Sequence, residues 1–178
     1  TDAGFYRLIP QEVLHPATEA DVQAILARAH KENKHITFRA AGTSLSGQAI
    51  SDSLLVVCGK KWETYSIGKD AKTITLQPGI VGQRVNDILR PYGKYFTPDP
   101  ASLKSAMVGG IVMNNASGMC CGVHANSYRV LQLLLNTLYT ISFTTISLTI
   151  ASLVFTEIIV LSANALYENV ISSPIWFL

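Results

Sequence analysis

Beyond Arg129 the sequence contains no lysine or arginine, although the chain has fourteen of them in its 178 residues. Only Glu157 and Glu168 carry charge after that point, so a normally charged part is followed by an apolar, Ser/Thr-rich tail. Cysteine is scarce as well. Cys58, Cys120 and Cys121 are odd in number and lack a CxxC spacing, which argues against a disulfide framework and against a zinc or cluster site. A reducing compartment fits this usage best. The formal net charge of +2 gives no reason to expect nucleic acid as a partner. No long apolar core follows Asp2 and Arg7, so a signal peptide is not expected. The chain opens on Thr1 rather than Met, which leads to the expectation of a fragment or a processed product. Its length suits one domain, divided at most into two lobes.

The stretch that organises the remainder is 36–48, Ile-Thr-Phe-Arg-Ala-Ala-Gly-Thr-Ser-Leu-Ser-Gly-Gln. Ile36 to Phe38 is a β-branched and aromatic run that reads as a strand. It empties into small residues: Ala40, Ala41, Gly42, Thr43, Ser44, Ser46 and Gly47, with Leu45 and Gln48 among them. Gly42 and Gly47 can take a positive φ, and successive N–H groups in such a loop can form an anion-binding nest. Thr43, Ser44 and Ser46 add hydroxyls, and Arg39 adds a fixed positive charge. Taken alone, the spacing is equally that of a surface turn. A Walker loop is rejected, because Gln48 and Ala49 replace the required Lys and Ser/Thr. A Rossmann GxGxxG is absent too.

Around this loop the pattern alternates strand and helix. Gln11 to His15 is a first strand closed by Pro16, and Thr18 caps a helix over 19–32 with Glu19 and Asp21 in its first turn. Val22, Ile25, Leu26 and Ala29 recur at helical spacing, and Asn33 ends the helix. His30 and His35 read as helix-end and loop residues. Leu54 to Cys58 is a buried strand in which Cys58 is a small core residue. Thr73 to Leu76 is a further strand, and Val81 to Arg90 a helix with Val85, Ile88 and Leu89 facing inward. Trp62, Tyr65 and Tyr95 read as core or rim residues.

A second donor-rich stretch runs from 97 to 118. Pro98-Asp99-Pro100 makes a rigid turn. Ser105 is expected to cap a short helix running through Met113, in which Gly109-Gly110 is costly. That pair needs a reason, and close approach of another backbone or a flat ring is the expected one. Asn114-Asn115-Ala116-Ser117-Gly118 follows as a small polar loop. By itself the stretch is also compatible with a helix hairpin ending in a turn.

Together, Arg39 to Gln48 and 97–118 resemble the FAD-linked oxidases, the fold shared by vanillyl-alcohol oxidase and p-cresol methylhydroxylase. Within that group the wording is most similar to D-lactate dehydrogenase and glycolate oxidase-type flavoproteins. The resemblance covers 8–129, with both stretches in the family's order. It implies an α+β, two-lobed FAD-binding domain of the p-cresol methylhydroxylase type, incomplete at its C-terminal side. The first lobe would span 1–70 and the start of the second 71–129, leaving 130–178 as an atypical tail. Arg39, Ala40, Ala41, Gly42, Thr43, Ser44, Leu45, Ser46, Gly47 and Gln48 would hold the FAD diphosphate. Pro98, Asp99, Ser102, Gly109, Gly110, Asn114, Asn115, Ala116, Ser117 and Gly118 would line the flavin. Thr43 stands where some relatives carry a flavin-linked His, so the FAD is expected to be non-covalent; His124 and Cys120-Cys121 are weaker alternatives for contact with it.

The implied parent is a dehydrogenase or oxidase of a 2-hydroxy acid such as D-lactate or glycolate, passing a hydride to the flavin. Its electrons would then go to a quinone, a cytochrome or an iron–sulfur partner domain. The substrate cap domain is expected to be missing, so no catalytic residue is assigned, and incomplete FAD binding with no turnover is expected of this chain alone. The expected location is cytoplasmic, with peripheral attachment to the inner membrane left open through the tail. From Val130 to Phe155 the family pattern stops. A transmembrane helix needs about 20 apolar residues, and Leu131 to Val154 is long enough but diluted by Thr and Ser. A buried strand pair and an out-of-frame continuation are the other readings, the last being favoured by the abrupt change of composition. The rival to the flavoprotein reading is a non-catalytic nucleotide-binding or membrane-attached module.

Overall fold

The computed structural model describes residues 1–69, 71–132, 159–161 and 166–168. The chain starts with a strand, β1 (Glu12–Leu14), followed by helix α1 (Glu19–Lys31). Thr18 is the N-cap: its hydroxyl accepts from the Asp21 N–H, and the Asp21 carboxylate accepts from the Thr18 N–H. This reciprocal pair satisfies donors that a helix start otherwise leaves open. Asn33, at φ 50°, turns the chain out of the helix into β2 (Ile36–Arg39), and β3 (Leu54–Val57) follows.

These strands form a parallel sheet in the order β1–β3–β2, with Val13 opposite Leu55 and Phe38 opposite Val56. The central place of β3 explains its uninterrupted Leu-Leu-Val-Val, since a strand flanked and covered on both faces has little need of polar alternation. Val22 and Leu26 of α1 pack with Val56, Cys58 and Trp62 in one apolar cluster. Trp62 is buried and its indole N–H donates to the Pro16 carbonyl at 2.9 Å, which closes that cluster.

A second cluster gathers residues from Ile74 to Val130. Here β4 (Tyr65–Ile67) and β5 (Ile74–Leu76) pair antiparallel, and α2 (Gly82–Leu89) buries Val85 and Leu89, with Ile88 partly buried. A 3-10 turn over Arg90–Tyr92 leads to β6 (Lys94–Phe96), α3 (Val108–Met113), α4 (Ser127–Val130) and β7 (Leu131–Gln132). Two short tail strands complete the sheets. β8 (Ile159–Leu161) joins the order β4–β5–β8–β7, and β9 (Leu166–Glu168) pairs with β6. Tyr65 and Tyr95 sit at the rim, half exposed.

The helix expected from Ser105 begins later, at Val108, with Met107 as an uncapped N-cap. The Ser102 carbonyl accepts from the Ser105 and Ala106 N–H groups, and Met107 bridges antiparallel to Val81. Pairing with 78–82 therefore holds Ala106 and Met107 out of the helix, and the tertiary contact overrides the local cap. Among the described residues no helix is long and apolar enough to cross a membrane. The tail readings placed on Leu131 to Val154 fall, apart from Leu131 and Gln132, outside the described residues.

Candidate functional site

The loop after β2 leaves the parallel sheet at the carboxyl end of a strand, where α/β sheets offer their ligand crevices. Gly42 and Gly47 do adopt left-handed backbone, at φ 71° and 80°. A Cβ on Gly42 would also overlap the Arg39 guanidinium, which lies directly against the loop. Arg39 Nη1 donates to the carbonyls of Thr1 at 2.6 Å and Ala49 at 3.2 Å. The arginine thus ties the beginning of the loop to its end.

What remains inside is a row of unused donors. Among the described residues, the backbone N–H groups of Gly42 through Ser46 donate to no protein atom, nor do the hydroxyls of Thr43 and Ser46. Two neighbouring donors are engaged differently. Ser44 Oγ and the Gly47 N–H both donate to the Asp2 carboxylate, at 2.8 and 2.9 Å. The Ser44 hydroxyl is the main cause holding the Asp2 carboxyl below its ordinary range; partial burial opposes it, and the N–H groups of Gly4 and Gly47 add to it.

The second stretch folds back on itself. Asp99 takes φ 38°, the Gly118 N–H donates to the Pro98 carbonyl at 2.7 Å, and a Cβ on Gly118 would overlap the Asp99 carbonyl oxygen. Asn115, at φ 46°, accepts from the Tyr128 N–H through its side chain at 3.1 Å, and Ser117 Oγ donates to the Asn115 carbonyl. Gly109 has the reason expected of it: a Cβ there would stand 2.7 Å from Pro78 Cβ, and its N–H donates to the Pro78 carbonyl at 2.9 Å. Gly110 faces the first loop instead, with its Cβ position 3.6 Å from Ala40 Cβ. The two stretches therefore meet at Ala40 and Gly110.

Other expected residues lie less centrally. The Ser102 carbonyl serves its own turn, while Leu45 and Gln48 are exposed. His124 and Cys120 are exposed, and Cys121 is buried with its thiol on the Gly118 carbonyl at 3.0 Å. Cys58 is buried, and desolvation, helped by the Glu63 charge, pushes its thiol up to about 12. His35 pairs on the surface with Asp52 at 2.7 Å.

Sequence reasoning missed Asp2 and Thr97. Thr97 is 2% exposed, next to Pro98, and its Oγ1 has no hydrogen-bond partner. A buried hydroxyl without a partner is rare enough to ask for one. Only its place beside Pro98-Asp99-Pro100 could have marked it in the sequence; Asp2 had no local signal.

Comparison with known proteins agrees with this architecture. The FAD binding domain family matches residues 10–136. The glycolate oxidase subunit GlcD of Escherichia coli is 33% identical over 118 residues, which cover 65% of this chain and 24% of that protein. D-2-hydroxyglutarate dehydrogenase of Haemophilus influenzae is 30% identical over 122 residues, covering 66% of this chain and 12% of that one. The chain thus matches an eighth to a quarter of the length of these relatives. Among solved structures, 6-hydroxy-D-nicotine oxidase from Arthrobacter nicotinovorans superposes with a TM-score of 0.62 at 14% identity, over 72% of this chain and 28% of that one. Chitooligosaccharide oxidase gives 0.62 at 19% identity, over 74% and 28%. At such identities the likeness concerns the fold, which is that of p-cresol methylhydroxylase-type FAD-binding domains. With the family match spanning most of the described residues, this chain belongs to the FAD-linked oxidase family, matching its FAD binding domain over residues 10–136.

Proposed function

We propose that the chain is the FAD-binding portion of a flavin-dependent oxidoreductase acting on a small 2-hydroxy acid. The observation that carries the reading is the run of unengaged N–H groups from Gly42 to Ser46, held between two left-handed glycines. Such a run suits the oxygens of a diphosphate, which accept several N–H donors and need no side-chain base. Arg39 supports the loop from beneath while lending its charge to the site. The residues present fit the remainder of FAD as well. Gly110 against Ala40 leaves room where a side chain would intrude, and Thr97 Oγ1 is a buried donor in search of an acceptor.

In this reading Arg39 to Gln48 cradle the diphosphate, and Pro98, Asp99, Ser102, Gly109, Gly110 and Asn114 to Gly118 line the flavin side. Residues 1–70 and 71–129 form the two lobes, and Thr43 implies a non-covalent attachment. Bound FAD would supply the centre that takes a hydride from a substrate α-carbon. This chain's own part is to bind and orient it and to keep water from the two loops. The names of the relatives, a D-2-hydroxyglutarate dehydrogenase and a glycolate oxidase subunit, support the substrate class. Substrate groups, and an iron–sulfur, quinone or cytochrome acceptor, belong to the whole protein, which we place in the cytoplasm.

The test is a titration of the full chain with FAD, read by quenching of flavin fluorescence. Saturable binding that free ADP competes away is the expected result. An absence of binding, or retention of ATP in preference to FAD, would overturn the proposal.

A further inference from the structure

The first residues of the chain are fastened onto the loop by contacts that run in both directions. The Ala3 N–H donates to the Ser44 carbonyl at 3.1 Å, and the Thr1 carbonyl accepts from Arg39 Nη1. The Asp2 carboxylate collects Ser44 Oγ, the Gly47 N–H and, at 2.8 Å, the Gly4 N–H. Gly4 runs so close that a Cβ on it would stand 2.5 Å from the Leu45 carbonyl oxygen.

We propose that Asp2 is a positioning residue for the dinucleotide, a carboxylate clasp that presets the loop while leaving the N–H groups of Gly42 to Ser46 free for the ligand. The inference rests on reading that loop as a diphosphate cradle. A carboxylate that merely stood in for phosphate would take the open row of N–H groups. Asp2 takes none of them: it engages a hydroxyl and the N–H of Gly47, at the far end of the loop. Its neighbours Thr1 and Ala3 bind the loop through backbone atoms, which is how a strap is built. A loop already held in its binding shape loses less freedom on meeting the ligand, so its affinity is higher. The clasp adds a negative charge near the diphosphate, and Arg39, bonded to the same strap, offsets it.

Asp2→Ala and Asp2→Asn full-length chains, compared with the unaltered chain, decide the matter. Flavin fluorescence would give the affinities for FAD and for riboflavin, which lacks the diphosphate. Hydrogen exchange would follow the Gly47 amide without ligand, and thermal melting would check that each variant folds. Asp2→Ala should weaken FAD roughly tenfold, leave riboflavin unchanged and accelerate Gly47 exchange. Asp2→Asn, keeping one acceptor oxygen, should fall between. Tighter FAD binding by Asp2→Ala would show a competitor in place of a clasp and overturn the inference. Unchanged FAD affinity or unchanged Gly47 exchange would do the same. Should the unaltered chain bind no FAD, the cradle reading falls first, and Gly47 exchange alone still judges whether Asp2 holds the loop.

Discussion

Small side chains near the two stretches perform different tasks, and substitutions separate them. Gly42 needs both its left-handed φ and the space filled by Arg39. Gly42→Ala should therefore cost about 1–3 kcal/mol and lower FAD affinity with it, read by chemical denaturation and flavin titration. Gly110 is helical, and its Cβ would meet Ala40 only at ordinary contact distance. Gly110→Ala should then stabilise the ligand-free chain by about 0.5–1 kcal/mol while weakening FAD, because the added methyl fills the gap between the stretches. Equal losses in both measurements would contradict that assignment. The thiols follow burial in the same way. Cys58 and Cys121 are covered and Cys120 is exposed, so a neutral-pH thiol reagent should label Cys120 at once and the others only on unfolding. The buried character of Cys58 was legible from its apolar strand; the orphaned Thr97 hydroxyl was not, since nothing in local sequence reports burial.

At the scale of elements, local chemistry was decisive where it met no opposition. The α1 boundaries follow from Thr18, Asp21 and Asn33, whose side chains and backbone act within the helix itself. Thr18→Ala removes the cap hydroxyl and should cost about 1 kcal/mol, seen as a lower midpoint of thermal unfolding with the fold retained. A change no larger than that of an exposed control substitution would mean the cap is redundant. The start of α3 went the other way. Ser105 has the right chemistry for a cap, but the Gly82 N–H bonds to the Ala106 carbonyl and the Val108 N–H to the Ile80 carbonyl. Those long-range bonds hold Ala106 and Met107 against the 80–82 segment and delay the helix to Val108.

For the whole molecule, acid stability follows from carboxylates whose folded values are lowered. The Asp2, Asp21 and Glu32 carboxyls are shifted down, led by the Ser44 hydroxyl, the Ala17 N–H and the Lys34 ammonium respectively. A folded value below the unfolded one means the unfolded chain binds more protons, so the contribution is complete above 3.8 for the aspartates and 4.5 for the glutamate. It is lost as pH falls through the folded values. Denaturation midpoints should be level near neutrality and decline only in that acid range, with Asp2→Asn removing part of the decline. Saturation with FAD at a hundredfold excess over its dissociation constant should add about 2.7 kcal/mol, visible as a higher melting temperature.

By itself the sequence determined the family, the succession β1–α1–β2–β3 and later β5–α2, and the glycines that turn the first loop, because these depend on residues close together along the chain; β4, β6 and α4 were not legible in it. Only the tertiary structure decided which donors stay free, that Ala40 meets Gly110, and that Asp2 clasps Ser44 and Gly47 from more than forty residues away. Burial and long-range partners arise when distant segments close on one another, and no local pattern encodes which ones will.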